Sequence, residues 1–76
     1  MTFQLYGIKD VCTRFVHMFV EDNDATATRL FKSWTQGKYA ADNYELWHLG
    51  AWDTQTGIIT PIKKMEFLCD GSEVVK

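Results

Sequence analysis

The chain has one proline, Pro61, and two cysteines, Cys12 and Cys69, and each scarcity removes a class of protein. A single proline excludes a proline-rich linker or recognition segment. The cysteines stand far apart, outside any Cys-x-x-Cys or Cys/His grouping, so neither a zinc site nor a disulfide scaffold is expected. Two free thiols in a reducing compartment follow. No apolar run approaches the ~18 residues of a membrane span, and Met1-Thr2-Phe3-Gln4 carries no basic or apolar leader pattern, so the expectation is a cytoplasmic protein with no membrane contact. Basic charge is also short: 8 Lys and Arg stand against 10 Asp and Glu, for a net charge of −2. Without a strong positive field, any nucleic-acid binding has to use a local patch.

What is present is apolar. The 46% hydrophobic and 14% aromatic content of the 76 residues marks a folded globular chain. A single domain over residues 1–71, with Ser72 to Lys76 as a loose tail, is expected. A domain of this size buries only roughly 60% of its unfolded surface, which leaves homodimerisation open.

Residues 44–61 are the most informative stretch. The aromatic and aliphatic run up to Trp52 suits a half-buried strand, and Ile58-Ile59-Thr60 are β-branched beyond a turn. In Asp53-Thr54-Gln55-Thr56-Gly57 the Asp53 side chain can accept backbone N–H bonds. Thr56 precedes Gly57, which can take the left-handed conformation that closes a hairpin with a G1 bulge. Pro61 removes a ladder donor, so it belongs at a strand end or an edge.

Thr2–Ile8 reads as a strand with Phe3 and Leu5 on one face and Gln4 and Tyr6 on the other, and Arg14–Val20 reads as its partner. Asn23 or Asp24 is a natural N-cap. From there Ala27, Leu30, Phe31 and Trp34 recur at helical spacing, giving a helix from about Ala25 to Gln36 with Gly37 just beyond it. Lys63–Cys69 either continues the second hairpin or forms a short last strand. The expected fold class is α+β: a small antiparallel sheet of four to five strands, in β-β-α-β-β order, with one helix packed on a face. Leu5, Phe15, Phe19, Leu30, Phe31 and Trp34 are the expected core.

Two segments carry a family resemblance. Asn23-Asp24-Ala25-Thr26-Ala27-Thr28-Arg29-Leu30-Phe31 looks like the pattern Asn-Asp-x-x-Ala-x-Arg-x-Phe, and Tyr44-x-Leu46-x-x-Leu49-Gly50-x-Trp52-Asp53-x-x-Thr56-Gly57 follows at the usual spacing. On these the chain resembles the small nonstructural protein of the tailless single-stranded DNA phages, the gokushovirus-like microviruses. It departs at Val16-His17-Met18-Phe19, where relatives tend to have a Pro-Phe pair, and at Trp52, where Phe is more usual. The resemblance implies a phage protein in the host cytoplasm, of a family labelled DNA-binding or replication-associated. It implies no catalytic residues.

The residues agree with a non-catalytic reading. His17 lies in an apolar strand and His48 beside Trp47, no Ser or Cys sits in a nucleophile motif, and the five glycines are dispersed rather than gathered in a phosphate loop. Asp22 and Asp24 suit helix capping better than a metal, so neither metal nor cofactor is expected. Single-stranded DNA binding needs cations along a phosphate track and rings on which bases stack. The candidate cations are Arg14, Arg29, Lys32, Lys38, Lys63 and Lys64. The candidate rings are Tyr6, Tyr39, Tyr44, Trp47 and Trp52, with Trp47 and Trp52 foremost. In an unbroken strand Trp47 and Trp52, five positions apart, face opposite ways, leaving one ring for a base or another protein. A bulge that brings both inward and a dimer interface are the alternatives. The expected function is single-stranded DNA binding in viral replication or in the switch to packaging. The rival is an interaction module for a host or phage replication protein.

Overall fold

The computed structural model describes residues 2–38 and 41–71. The strands are β1 (Thr2–Asp10), β2 (Phe15–Glu21), β3 (Tyr44–Asp53) and β4 (Ile59–Asp70), with one α-helix, α1 (Asp24–Thr35), between β2 and β3 and a single 3-10 turn at Ala41–Asn43. All pairings are antiparallel, in the order β2-β1-β3-β4. The two hairpins therefore meet along β1 and β3, and β2 and β4 form the edges.

The expected fold class is corrected in one respect: the sheet has four strands among the described residues, and the short fifth strand is absent. Lys63–Cys69 is the outer part of β4. The segment holds no turn residues that could end one strand and begin another, and the misfit with β3 is taken up as irregular pairing instead. Gly50 pairs with Pro61 and His48 with Glu66, so four residues, Ile62–Met65, stand opposite Leu49 alone. The expected loose tail at residues 72–76 and the candidate ring Tyr39 lie outside the described residues.

Helix α1 begins where the sequence places it. Asn23 is extended, and its side-chain oxygen accepts the Thr26 N–H at 2.9 Å, satisfying one orphan donor of the first turn. The helix ends at Thr35, after which Gln36 N–H reaches Lys32 O and Gly37 takes a positive φ of 77°. Its buried side is Ala27, Phe31 and Thr35, at i, i+4 and i+8, with Trp34 half-buried beside them. This line of contact turns the helix away from Leu30, which is 42% exposed rather than core.

The core lies between α1 and one face of the sheet. Tyr6, Ile8, Leu46 and Cys69 from three strands close on Ala27 and Phe31, with Phe19, Trp34, Tyr44 and Leu68 at the rim. Tyr6 is completely buried and its hydroxyl donates to Asp24 Oδ1 at 2.7 Å, tying the middle of β1 to the first turn of α1. Burial first, then this bond and the negative charges of Asp24 and Glu21, hold the phenol well above its ordinary pKa. Leu5 is buried, but Phe15 is exposed, because it sits at the start of an edge strand on the face away from the helix.

The β3–β4 turn has the expected chemistry. Asp53 Oδ1 accepts the N–H groups of Gln55 and Thr56, Gly57 N–H returns to Asp53 O at 2.8 Å, and Gly57 has φ 77°. The bond from Gln55 N–H, followed by that from Thr56, holds the Asp53 carboxyl below its ordinary value.

Candidate nucleic-acid interface

The expected site residues divide between the two sides of the sheet. On the helix side, Arg29, Lys32 and Lys38 line one open groove at the C-terminal end of α1, of about 740 Å³, together with Ser33, Gln36 and Gly37. Arg29 and Lys32 are three residues apart and so share a helix face. Lys38 follows the turn at Gly37 and holds its ammonium 4.5 Å from the centre of the Trp34 ring. Trp34 meets Tyr44 edge-on at 5.0 Å and stacks against His17 at 5.9 Å. A cation thus stands beside a flat ring, but Trp34 lines a separate, smaller cavity with Ile8, His17, Phe19, Leu30 and Ser33. Position at the negative end of the helix dipole favours Lys32 and Lys38 there even without a ligand.

The tryptophans lie on the other side. Residues directly opposite in an antiparallel pair share a face, and Trp47 pairs with Gly7 while Trp52 pairs with Phe3. Gly7 and Phe3 are four positions apart on β1, so both tryptophans face the same way. The cause is Leu49. Between Leu5↔Gly50 and Tyr6↔His48 the ladder skips it, and this one extra residue in β3 cancels the alternation that separates positions 47 and 52 in a regular strand. Leu49 and Phe15 close over Gly7 on that same face. Trp47 Nε1 donates to Glu45 Oε1 at 3.1 Å, and its ring meets Phe67 edge-on at 5.6 Å.

Arg14 sits in the β1–β2 turn, and Lys63 and Lys64 lie in the irregular stretch of β4, so neither Arg14 nor the Lys63–Lys64 pair lines the groove. Tyr6, a candidate ring in the sequence, is buried core and presents nothing to a base. His48 is engaged on several sides: Nε2 lies 2.8 Å from Gln4 Oε1 and 3.1 Å from Gly50 O, and Nδ1 lies 3.3 Å from Glu66 Oε1. His17 stacks on Phe19 and Trp34. No metal-binding cluster is found among the described residues, and no helix among them is long and apolar enough to cross a membrane. Cys12 is exposed and Cys69 is buried, and no disulfide joins them. Trp34, which the helical stripe marks as core, is the residue that sequence reasoning passed over as a site member; its nearness to Lys38 arises from the chain reversal at Gly37.

The family model described as Phage ORF5 protein matches residues 3–74, and the chain belongs to that family. It is a phage protein. Neither a curated protein nor a solved structure matches it.

Proposed function

We propose that this phage accessory protein acts without catalysis in the DNA metabolism of a microvirus, in the host cytoplasm, by weak binding of single-stranded DNA at the Arg29–Lys32–Lys38 groove. The observation that carries the reading is that three cations line one groove at the end of α1 and that one of them, Lys38, lies against the Trp34 ring beside it. A nucleotide needs a positive partner for its phosphate and a flat partner for its base, and Lys38 over Trp34 sets the two side by side. Affinity is modest by construction, since few phosphates are neutralised and the whole molecule is acidic. A duplex offers its phosphates to the same cations but keeps its bases stacked, so the single strand is preferred.

Salt dependence tests the reading. Neutralising about three phosphates of a single strand gives a slope of log K against log salt of roughly −2. Fluorescence anisotropy of a labelled oligothymidylate at several salt concentrations measures that slope. Lys32→Glu with Lys38→Glu is expected to abolish binding, whereas Lys63→Glu with Lys64→Glu leaves most of it. Folded protein that fails to bind at low salt, or that binds as well after the Lys32 and Lys38 changes, refutes the groove.

A further inference from the structure

The side of the sheet turned away from α1 has no covering layer among the described residues. Register places Phe3, Leu5, Gly7 and Lys9 of β1 on it, with Met18 and Phe15 of β2, Trp47 and Trp52 of β3, and Ile59 and Phe67 of β4. Met18 is 59% exposed, Ile59 53% and Phe67 46%. Such a contiguous apolar face is uncommon on a protein that works alone in water.

We propose that a second copy of this chain covers this face, giving a two-fold symmetric dimer in which two sheets pack face to face and the two helices lie outside. Three observations favour this occupant over any other. The first is charge. The charged side chains that register places on the face are Lys9, Glu45 and Asp70, which form one cross-strand row at its end, so the apolar stretch from Met18 across Trp47 and Trp52 to Ile59 carries no charge of its own. A nucleic acid calls for a positive face and a basic protein for a broadly negative one, while a face whose middle is uncharged meets its own copy there without repulsion. The second is polar satisfaction. The Trp47 indole N–H already donates to Glu45 within the chain, so burying the ring leaves no orphan donor.

The third is area. The molecule is a slab of 38 × 22 × 16 Å, and its broad side is on the order of the ~800 Å² that each partner gives to a stable interface. Sheets packed face to face sit about 10 Å apart, a spacing that side chains of the size of Met18, Trp47, Ile59 and Phe67 fill. The inference is independent of DNA binding, because the Arg29–Lys32–Lys38 groove lies on the helix side and stays open in the dimer.

The test is sedimentation velocity with multi-angle light scattering over a range of concentrations. The wild-type chain is expected to sediment as a dimer at micromolar concentration. Met18→Lys with Ile59→Lys, which places an unpaired charge from each strand in the contact, is expected to weaken the dimer by about 100-fold or more while the circular dichroism is unchanged. Leu30→Lys, an exposed apolar residue on the helix side, is the control and leaves the dimer intact. Tryptophan emission of the wild-type protein adds a readout that needs no variant: dilution below the dissociation constant shifts it to the red as Trp47 and Trp52 meet water. A monomer at all concentrations overturns the proposal and assigns the face to a partner of other chemistry. A dimer that survives Met18→Lys with Ile59→Lys but not Leu30→Lys also overturns it, by moving the interface to the helix side.

Discussion

Removing the Tyr6 hydroxyl isolates a side-chain bond that joins the centre of the sheet to the start of the helix. Tyr6→Phe deletes a single oxygen and keeps the ring in its place between Phe19 and His48, whose centres lie 5.6 and 5.2 Å away. No cavity larger than that oxygen forms, so packing is nearly constant. The lost bond is 2.7 Å long and goes to a carboxyl group, and bonds to charged groups contribute about 1.5–3 kcal/mol. Asp24 is exposed, however, and water replaces the hydroxyl once it is gone, so the expected loss is at the low end, about 1–1.5 kcal/mol. For a chain of this length that lowers the melting temperature by roughly 4–10 °C. Asp24→Ala alone also removes an acidic residue from the first turn of α1, which contributes a further few tenths of a kcal/mol through the helix dipole. Urea unfolding of the two single variants and the double variant separates these effects, because the dipole contribution cancels in the cycle. A coupling energy below about 0.3 kcal/mol refutes the bond as a stabilising link.

The same phenol sets an alkaline limit: its folded-state pKa is raised above the unfolded value near 10, so its stabilising contribution is complete below about pH 10 and is lost as pH rises beyond it. Unfolding followed from pH 8 to 11 should show a steeper alkaline loss for wild type than for Tyr6→Phe. Phe31→Ala empties the centre of the core and is expected to cost about 3–5 kcal/mol, enough to unfold a domain of this size by circular dichroism at 37 °C. Gly57→Val meets no neighbour but is strained at φ 77°, so a loss of about 1–2 kcal/mol by thermal melting is expected, and a neutral result refutes the left-handed turn. Gly50→Ala is different in kind, since its new Cβ would meet Thr60 O at 2.5 Å and Pro61 Cα at 2.9 Å. Both are backbone atoms that cannot rotate away, so the β3–β4 hairpin has to part, read as lost amide protection around Thr60 in hydrogen exchange.

Local chemistry was the legible part of the sequence. Asn23 as a cap, the Ala27–Phe31 line of the helix and the Asp53–Gly57 turn each depend on side chains within a few residues of one another, and each stands in the structure. What depended on long-range pairing was not legible. The fifth strand failed because no local signal distinguishes a new strand from an irregular continuation of β4. Phe15 and Leu30 were expected inside on their chemistry, and their exposure follows from which strand is an edge and how far the helix is rolled. Tyr6 looked available for a base because its burial requires the helix above it. The cation candidates divided for the same reason: Arg29, Lys32 and Lys38 are close in sequence and meet, while Arg14 and the Lys63–Lys64 pair reach other parts of the surface.

The extra residue at Leu49 gives β3 two phases. Up to His48 the odd-numbered side chains look away from the helix, and from Gly50 onward the even-numbered ones do. Deleting Leu49 would bring Trp47 and Trp52 to four positions apart and keep both on the same face, whereas keeping Leu49 in a straightened strand would send Trp52 to the helix side or Trp47 with Glu45 into the core. A substitution at either tryptophan removes one ring, but loss of the bulge with Leu49 retained disperses the whole surface. The apolar character of that surface is therefore a property of register as well as of composition, since the same sequence paired without the bulge would not present it.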